Sequence, residues 1–122
     1  MESPHKGASG LRRLLNATRF SLEGLAEAAR REEAFRQELI LAVVLIPAAL
    51  WLGEGGAERA LLVGSILLVL IVELLNSAIE ATVDRVSLEE HALAKRAKDY
   101  GSTAVMFALV LAGATWLLVL VK

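Results

Sequence analysis

Apolar residues along the chain group into three long runs separated by short polar segments. The runs are LILAVVLIPAALWL at 39–52, ALLVGSILLVLIV at 60–72 with a partly polar continuation, and TAVMFALVLAGATWLLVLV at 103–121. A helix needs about 20 mostly apolar residues to cross a bilayer, and each run approaches that length with its flanking residues. The pattern therefore predicts transmembrane helices over 35–52, 60–83 and 101–121.

The segment before the first run has a different pattern. Leucines recur at helical spacing between arginines in LRRLLNATRFSLEGLAEAARR, residues 11–31. An apolar face interleaved with basic side chains is typical of a helix that lies on an anionic membrane surface. We predict such a surface helix over about residues 8–33, either as a simple anchor or as one wall of a site for a lipid headgroup.

Composition supports a membrane protein with one domain. The 122 residues are 56% hydrophobic with a mean hydropathy of +0.56, above the roughly 45–50% apolar content of soluble domains. A soluble core of this size does not hide so much apolar surface. The absence of cysteine excludes a disulfide framework and a thiolate zinc site. We expect an all-α membrane protein over residues 1–122 and no nucleic-acid partner.

Lysine and arginine are distributed unevenly between the polar segments. Residues 1–38 carry seven of them, 53–59 carry one and 84–100 carry four. The positive-inside rule then places the N-terminus and the 84–100 loop in the cytoplasm. In this topology Trp51 and Trp116 lie toward the opposite membrane side, as interfacial aromatic residues that contact lipid.

Polar groups enter the second span in the stretch VELLNSAIEATVDR, residues 72–85. On a helix, Glu73, Glu80 and Asp84 fall on one stripe with Asn76 beside it. Carboxylates at membrane depth are costly, so they bind a proton, pair with cations or face a polar interior. Glu73, among apolar neighbours, suits a general base, and Glu80, nearer the basic loop, suits Mg²⁺. The alternative is that these groups only join helices by hydrogen bonds.

The basic loop carries a cluster of charges in AKRAKDY, residues 94–100. Lys95, Arg96 and Lys98 are cations of the kind that bind phosphate, and Asp99 is placed to orient a lysine or to help hold a metal. A basic cytoplasmic loop is also what topology alone requires. Because no phosphate-binding glycine loop occurs in the sequence, a nucleotide requires another arrangement.

Three stretches, EEAFRQE, VELLNSAIEATVDR and AKRAKDYGSTAV, resemble the small bacterial membrane diacylglycerol kinase in their order and separation. The resemblance extends from about Gly10 to Val121. It implies a three-span protomer with an N-terminal surface helix, assembled as a homotrimer in the bacterial inner membrane with active sites shared between subunits. It also implies transfer of the γ-phosphate of ATP, with Mg²⁺, to the hydroxyl of diacylglycerol.

The resemblance assigns roles to individual residues. Glu73 matches the catalytic base and Asn76 the amide beside it, while Glu32 and Glu80 match the carboxylates that hold Mg²⁺. The nucleotide-side candidates are Arg13, Phe20, Glu32, Glu80, Glu89, Glu90, His91, Lys98 and Asp99. The lipid-side candidates are Arg13, Ser21, Glu73 and Ser102, together with Trp51 and Trp116.

Two positions depart from the family pattern, and two other functions stay open. Phe20 replaces a tyrosine that contacts nucleotide in the best-known member, and Leu22 replaces a tryptophan of the surface helix. Some relatives phosphorylate undecaprenol, although EEAFRQE and NSAIE look more like the diacylglycerol type. A small proton- or ion-conducting bundle is the alternative from another class, but it leaves Lys98 and Asp99 unexplained.

Overall fold

The computed structural model describes residues 9–86 and 91–121, which form four α-helices. They are α1 (Gly10–Arg31), α2 (Glu33–Leu52), α3 (Gly56–Val86) and α4 (Ala92–Leu120). Helices α2, α3 and α4 are each long and apolar enough to cross a membrane. The expected all-α architecture, with three helices able to span a membrane, is therefore confirmed.

Most large apolar side chains on the long helices point outward. Val43 and Leu118 are 69% and 77% exposed, and they are typical of many others. A water-soluble protein of this size would bury such residues, whereas a bilayer accepts them. The surface therefore agrees with the membrane placement that the sequence predicts.

Helix α1 ends at a single extended residue, Glu32, after which α2 begins. The Glu32 N–H donates to the carbonyl of Ala28 at 2.8 Å. The Arg36 guanidinium donates to the carbonyls of Ala29 and Arg30 at 3.0 and 3.2 Å. These bonds satisfy carbonyls that a helix end leaves without partners. They also fix Glu32 at the entrance to α2.

The last turns of α1 carry a compact charge cluster. Arg30 and Arg31 both bond to the carboxylate of Glu27. The hydrogen bond from Arg31, helped by the positive charge of Arg30, lowers the pKa of Glu27 below its usual 4.5. The two arginines also lie in the last turn, where positive charge interacts favourably with the helix dipole.

A short turn of residues 53–55 joins α2 to α3. Gly55 has φ +87°, a left-handed conformation that glycine adopts without steric cost. The Arg59 guanidinium donates to the Leu50 carbonyl at 3.0 Å, and the Glu54 N–H donates to Glu58 Oε1 at 2.9 Å. These bonds close the turn, so α3 starts at Gly56, four residues before the predicted span.

Helices α3 and α4 pack closely because small residues face the buried stripe of α3. That stripe consists of Leu62, Ser65, Val69 and Glu73, at spacings of three and four residues. On α4 the buried residues are Gly101, Ala108 and Ala112, whose small size lets two backbones approach. Trp116 Nε1 donates to Leu62 O at 3.2 Å and to Ser65 Oγ at 3.1 Å, which ties the far ends of the two helices together.

The segment predicted as a basic loop over residues 84–100 is largely helical. Helix α3 continues to Val86, and α4 already begins at Ala92. The loop prediction was wrong here because charged residues end an apolar run without ending a helix. Alanine and lysine, which dominate residues 92–98, are strong helix formers. The charged residues from Lys95 to Asp99 are therefore held on a helical extension of the third span.

Candidate active site

A polar cavity of about 310 Å³ lies between the start of α2 and the facing parts of α3 and α4. Its lining includes five residues that the sequence predicts as functional, namely Glu32, Glu73, Asn76, Glu80 and Ser102. The rest of the lining consists of Glu33, Ala34, Phe35, Ser77 and Val105. Folding therefore brings together candidates that are up to 70 positions apart in the sequence.

Glu73 enters this cavity as the continuation of a buried apolar stripe. It follows Val69 by four residues on the face of α3 that packs against α4, and it is only 7% exposed. Asn76 and Glu80 extend the same face by three and seven residues, toward the cytoplasmic end that the topology predicts. Glu73 and Glu80, predicted on one stripe with Asn76 beside it, line this cavity together with Asn76, whereas Asp84, predicted on the same stripe, is not among the lining residues.

Asn76 is held against the backbone of α4 at Gly101. A Cβ atom built on Gly101 would lie 2.1 Å from Asn76 Oδ1 and 3.2 Å from Asn76 Cγ. Only glycine leaves room for the carboxamide at this crossing. Within residues 9–86 and 91–121, Asn76 Oδ1 is buried without a hydrogen-bond partner. A buried amide oxygen without a donor suits a site that a ligand or a water molecule completes.

The carboxylates of the cavity fit a magnesium ion that arrives with a nucleotide. In the described part of the chain, no three histidine, cysteine or acidic side chains cluster closely enough to form a metal cage. Magnesium is usually bound by one or two carboxylates together with substrate phosphates rather than by such a cage. Glu32 and Glu80 line the same cavity and supply that number of carboxylates.

Two ion pairs flank the cavity one helical turn beyond Glu80 and Ser102. Lys98 Nζ lies 2.6 Å from Asp84 Oδ1, joining α3 to α4. Lys95 Nζ lies 2.6 Å from Asp99 Oδ2 within α4. Both predicted phosphate-side residues, Lys98 and Asp99, are thus in ion pairs, and Asp84 holds a lysine instead of lining the cavity.

The candidates on α1 lie outside the residues that line the cavity. Ser21 Oγ donates to the carbonyl of Ala17 at 2.8 Å, and the Arg19 guanidinium lies 4.9 Å from the centre of the Phe20 ring. Arg13 is exposed on the same helix. In one chain, these residues do not meet Glu73, so their predicted contacts with nucleotide and lipid stay predictions.

The remaining candidates are placed at helix ends. His91 caps α4, and its Nδ1 accepts a hydrogen bond from the Leu93 N–H at 3.1 Å. Glu89 and Glu90 lie outside the described residues. Trp51 is 83% exposed near the end of α2, whereas Trp116 is half-buried and turns its nitrogen toward α3. A lipid contact at either tryptophan stays a prediction.

The sequence pattern assigned no role to Glu38, which lies within the predicted span 35–52. The Glu38 carboxyl lies within hydrogen-bonding reach of the Glu73 carboxyl. Glu38 follows buried Phe35 by three residues and precedes buried Ala42 by four, so it belongs to the packed face of α2. That spacing was readable from the sequence, but the contact with Glu73 depends on how α2 packs against α3.

The family profile that matches this chain and its similar relatives carry the same description. The sequence profile described as prokaryotic diacylglycerol kinase matches residues 19–120. A protein of Pseudomonas aeruginosa named diacylglycerol kinase is 58% identical over 118 residues, which are 97% of this chain and 96% of the relative. Proteins of the same name from Haemophilus influenzae and Escherichia coli K12 are 49% and 46% identical, over 88% and 92% of this chain and 92% of each relative.

Proposed function

Because the chain belongs to the prokaryotic diacylglycerol kinase family, we propose that it transfers the γ-phosphate of ATP to the free hydroxyl of diacylglycerol, giving phosphatidate and ADP. Membership of this family makes the protein a lipid kinase. The observation that carries the detailed proposal is the cavity in which buried Glu73 meets Asn76, Glu32 and Glu80. This cavity joins a base at membrane depth to carboxylates near the predicted cytoplasmic end.

Glu73 is the general base of the proposed reaction. Its carboxylate accepts the proton of the lipid hydroxyl while that oxygen forms a bond to the γ-phosphorus and the bond to the ADP oxygen breaks. Glu73 is only 7% exposed, and this burial limits the access of water to the base, which favours transfer to the lipid over hydrolysis. The Asn76 oxygen that lacks a partner is positioned to accept a hydrogen bond from a bound substrate.

The charged residues hold the phosphates. Glu32 and Glu80 would hold Mg²⁺, which when bound neutralises phosphate charge that develops during transfer. Lys98 adds positive charge beside the cavity, where Asp84 holds its ammonium group. Phosphoryl transfer depends mainly on positioning and electrostatic stabilisation, and this arrangement supplies both.

We propose the orientation and assembly on separate grounds. The excess of lysine and arginine at the cavity end of the helices supports a cytoplasmic N-terminus, with the protein spanning the bacterial inner membrane several times. The exposed leucines of α1 support its placement on the membrane surface. Because Arg13 and Ser21 do not line the cavity of their own chain, we propose a homotrimer in which α1 completes a site shared between subunits.

The relatives bear on the alternative functions. The relatives from Pseudomonas aeruginosa, Haemophilus influenzae and Escherichia coli K12 all carry the name diacylglycerol kinase, which favours diacylglycerol over undecaprenol as the lipid. An ion-conducting bundle requires the carboxylates to line one path. Asp84 instead pairs with Lys98, while Glu73 and Glu80 share a cavity with the residues that resemble a kinase site.

A phosphorylation assay tests the proposal directly. Purified protein with labelled ATP and Mg²⁺ is offered diacylglycerol and undecaprenol in turn, and we expect label in phosphatidate. Glu73→Gln should lower kcat at least about 100-fold, the usual contribution of a general base, with unchanged helical content. Glu80→Gln should raise the Mg²⁺ concentration needed for half-maximal rate. Full turnover by Glu73→Gln would remove Glu73 from the base role, and an unchanged Mg²⁺ titration would remove Glu80 from the metal site.

A further inference from the structure

Glu38 stands in an unusual position for an acidic residue of a spanning helix. It lies on α2 six residues into the helix, between buried Phe35 and buried Ala42. In the described part of the protein, no donor reaches Glu38 Oε1, although this atom is buried. Its acidic neighbour across the helix interface is Glu73. A partly buried carboxyl without an ion-pair partner among the described residues requires a specific explanation.

The chemistry of two facing carboxyl groups limits the possible arrangements. Ionised carboxylates only accept hydrogen bonds, so two of them bond to each other only when one carries a proton. Two ionised groups in contact also repel, most strongly away from water. The pair therefore shares one proton, which leaves one neutral acid that donates and one carboxylate that accepts.

The cavity decides which of the two carboxyls is the carboxylate. Glu73 lines the polar cavity together with Asn76 and Glu80. Glu38 instead lines the neighbouring apolar groove between α2, α3 and α4, which Leu41, Val69 and Trp116 also line. An ionised group is favoured on the polar side and a neutral acid on the apolar side.

We propose that Glu38 is a positioning residue, which donates a hydrogen bond from its neutral carboxyl to the Glu73 carboxylate and keeps that base turned toward the cavity. This inference rests on the proposed function, because it acts through Glu73 as the base. When one oxygen of the Glu73 carboxylate accepts this hydrogen bond, the other oxygen keeps a fixed angle to the substrate. A free glutamate at this depth would rotate between several conformers.

Two substitutions at one position separate this role from simple packing. Glutamine has the shape of a neutral glutamic acid and donates a hydrogen bond from its amide, so Glu38→Gln should retain most of the wild-type kcat. Leucine fills similar space without a donor, so Glu38→Leu should lower kcat by roughly 100-fold. The KM for ATP should stay near its wild-type value in both variants, because the nucleotide side of the cavity is unchanged.

Two controls address folding and the general effect of losing a carboxylate. Removing a carboxyl from an apolar groove does not weaken packing, so both variants should keep wild-type helical content and thermal unfolding. The matched control is Glu58→Gln, which removes a carboxylate from the first turn of α3, at the other end of the bundle. This variant should keep the wild-type kcat.

The possible outcomes are distinct. A loss of kcat in Glu38→Leu that Glu38→Gln restores supports the proposal. An active Glu38→Leu, or a Glu38→Gln as impaired as Glu38→Leu, overturns it even if Glu73→Gln is inactive. If Glu73→Gln itself turns over normally, the proposed base is wrong, and that failure is recognisable without any Glu38 variant.

Discussion

Substitution of Gly101 by alanine tests whether the α3–α4 crossing holds Asn76 in place. The added Cβ would lie 2.1 Å from Asn76 Oδ1, whereas a carbon and an oxygen without a bond between them need about 3.3 Å. The overlap of about 1.2 Å must be relieved by rotation of the carboxamide or by separation of the two helices. Either movement displaces Asn76 from its position in the cavity.

Two opposing effects limit the expected change in the free energy of unfolding of Gly101→Ala. Inserting a methyl group into a packed crossing costs about 1–3 kcal/mol of unfolding free energy. Replacing glycine by alanine inside a helix returns about 0.5–1 kcal/mol. The two effects oppose each other, so we expect Gly101→Ala to fold, with a loss of at most about 2.5 kcal/mol.

The expected effect on catalysis is large. A displacement of about 1 Å at a catalytic group can lower a rate roughly 100-fold, so kcat of Gly101→Ala should fall by about that factor. The assay measures kcat at saturating lipid and ATP, and chemical denaturation measures the unfolding free energy of the same preparation. Activity would then be lost from a protein that still folds.

Gly113 on the same helix provides the matched control. A Cβ built there meets no atom within 4 Å, so Gly113→Ala should keep full kcat and gain up to about 1 kcal/mol of stability. If Gly101→Ala also kept the wild-type kcat, the close contact with Asn76 would have no catalytic importance. A loss of activity in both variants would indicate a general effect on α4 and would equally refute the reasoning.

Substitutions at three further contacts give additional tests. Asp84→Asn removes the ion pair that holds Lys98, so the KM for ATP should rise by up to about fivefold. This factor corresponds to the free energy of an exposed ion pair, up to about 1 kcal/mol. A lower KM would show instead that Asp84 competes with phosphate for Lys98. Trp116→Phe removes the indole donor that bonds to α3 and should cost about 1 kcal/mol in denaturation, whereas exposed Trp51→Phe should cost almost nothing; equal losses would contradict this account. Glu27→Gln should lower the far-ultraviolet helical signal above pH 4.5, because the lowered pKa keeps Glu27 ionised and bonded there. That difference should disappear as the pH falls through the folded pKa, and a difference that persists in acid would refute this origin.

The sequence by itself determined which segments are helices of membrane length and which face of α3 is polar. Length and apolar content decide the first, because a bilayer requires internally bonded helices of about 20 residues. Helical spacing decides the second, and Glu73, Asn76 and Glu80 do share one cavity. Sequence spacing was sufficient because these residues lie on one element, where 3.6 residues per turn fixes their relative directions.

Only the tertiary structure decided the contacts between elements. The pairing of Asp84 with Lys98 and the fit of Asn76 against Gly101 depend on how α3 meets α4. The approach of Glu38 to Glu73 depends in the same way on how α2 meets α3. Periodicity tells which residues share a face but not which face of a neighbour they meet, because crossing position and depth arise from the packing of small residues along the whole interface. Charge likewise did not reveal that α4 begins at Ala92, since a helix that leaves the membrane keeps its backbone bonds in water.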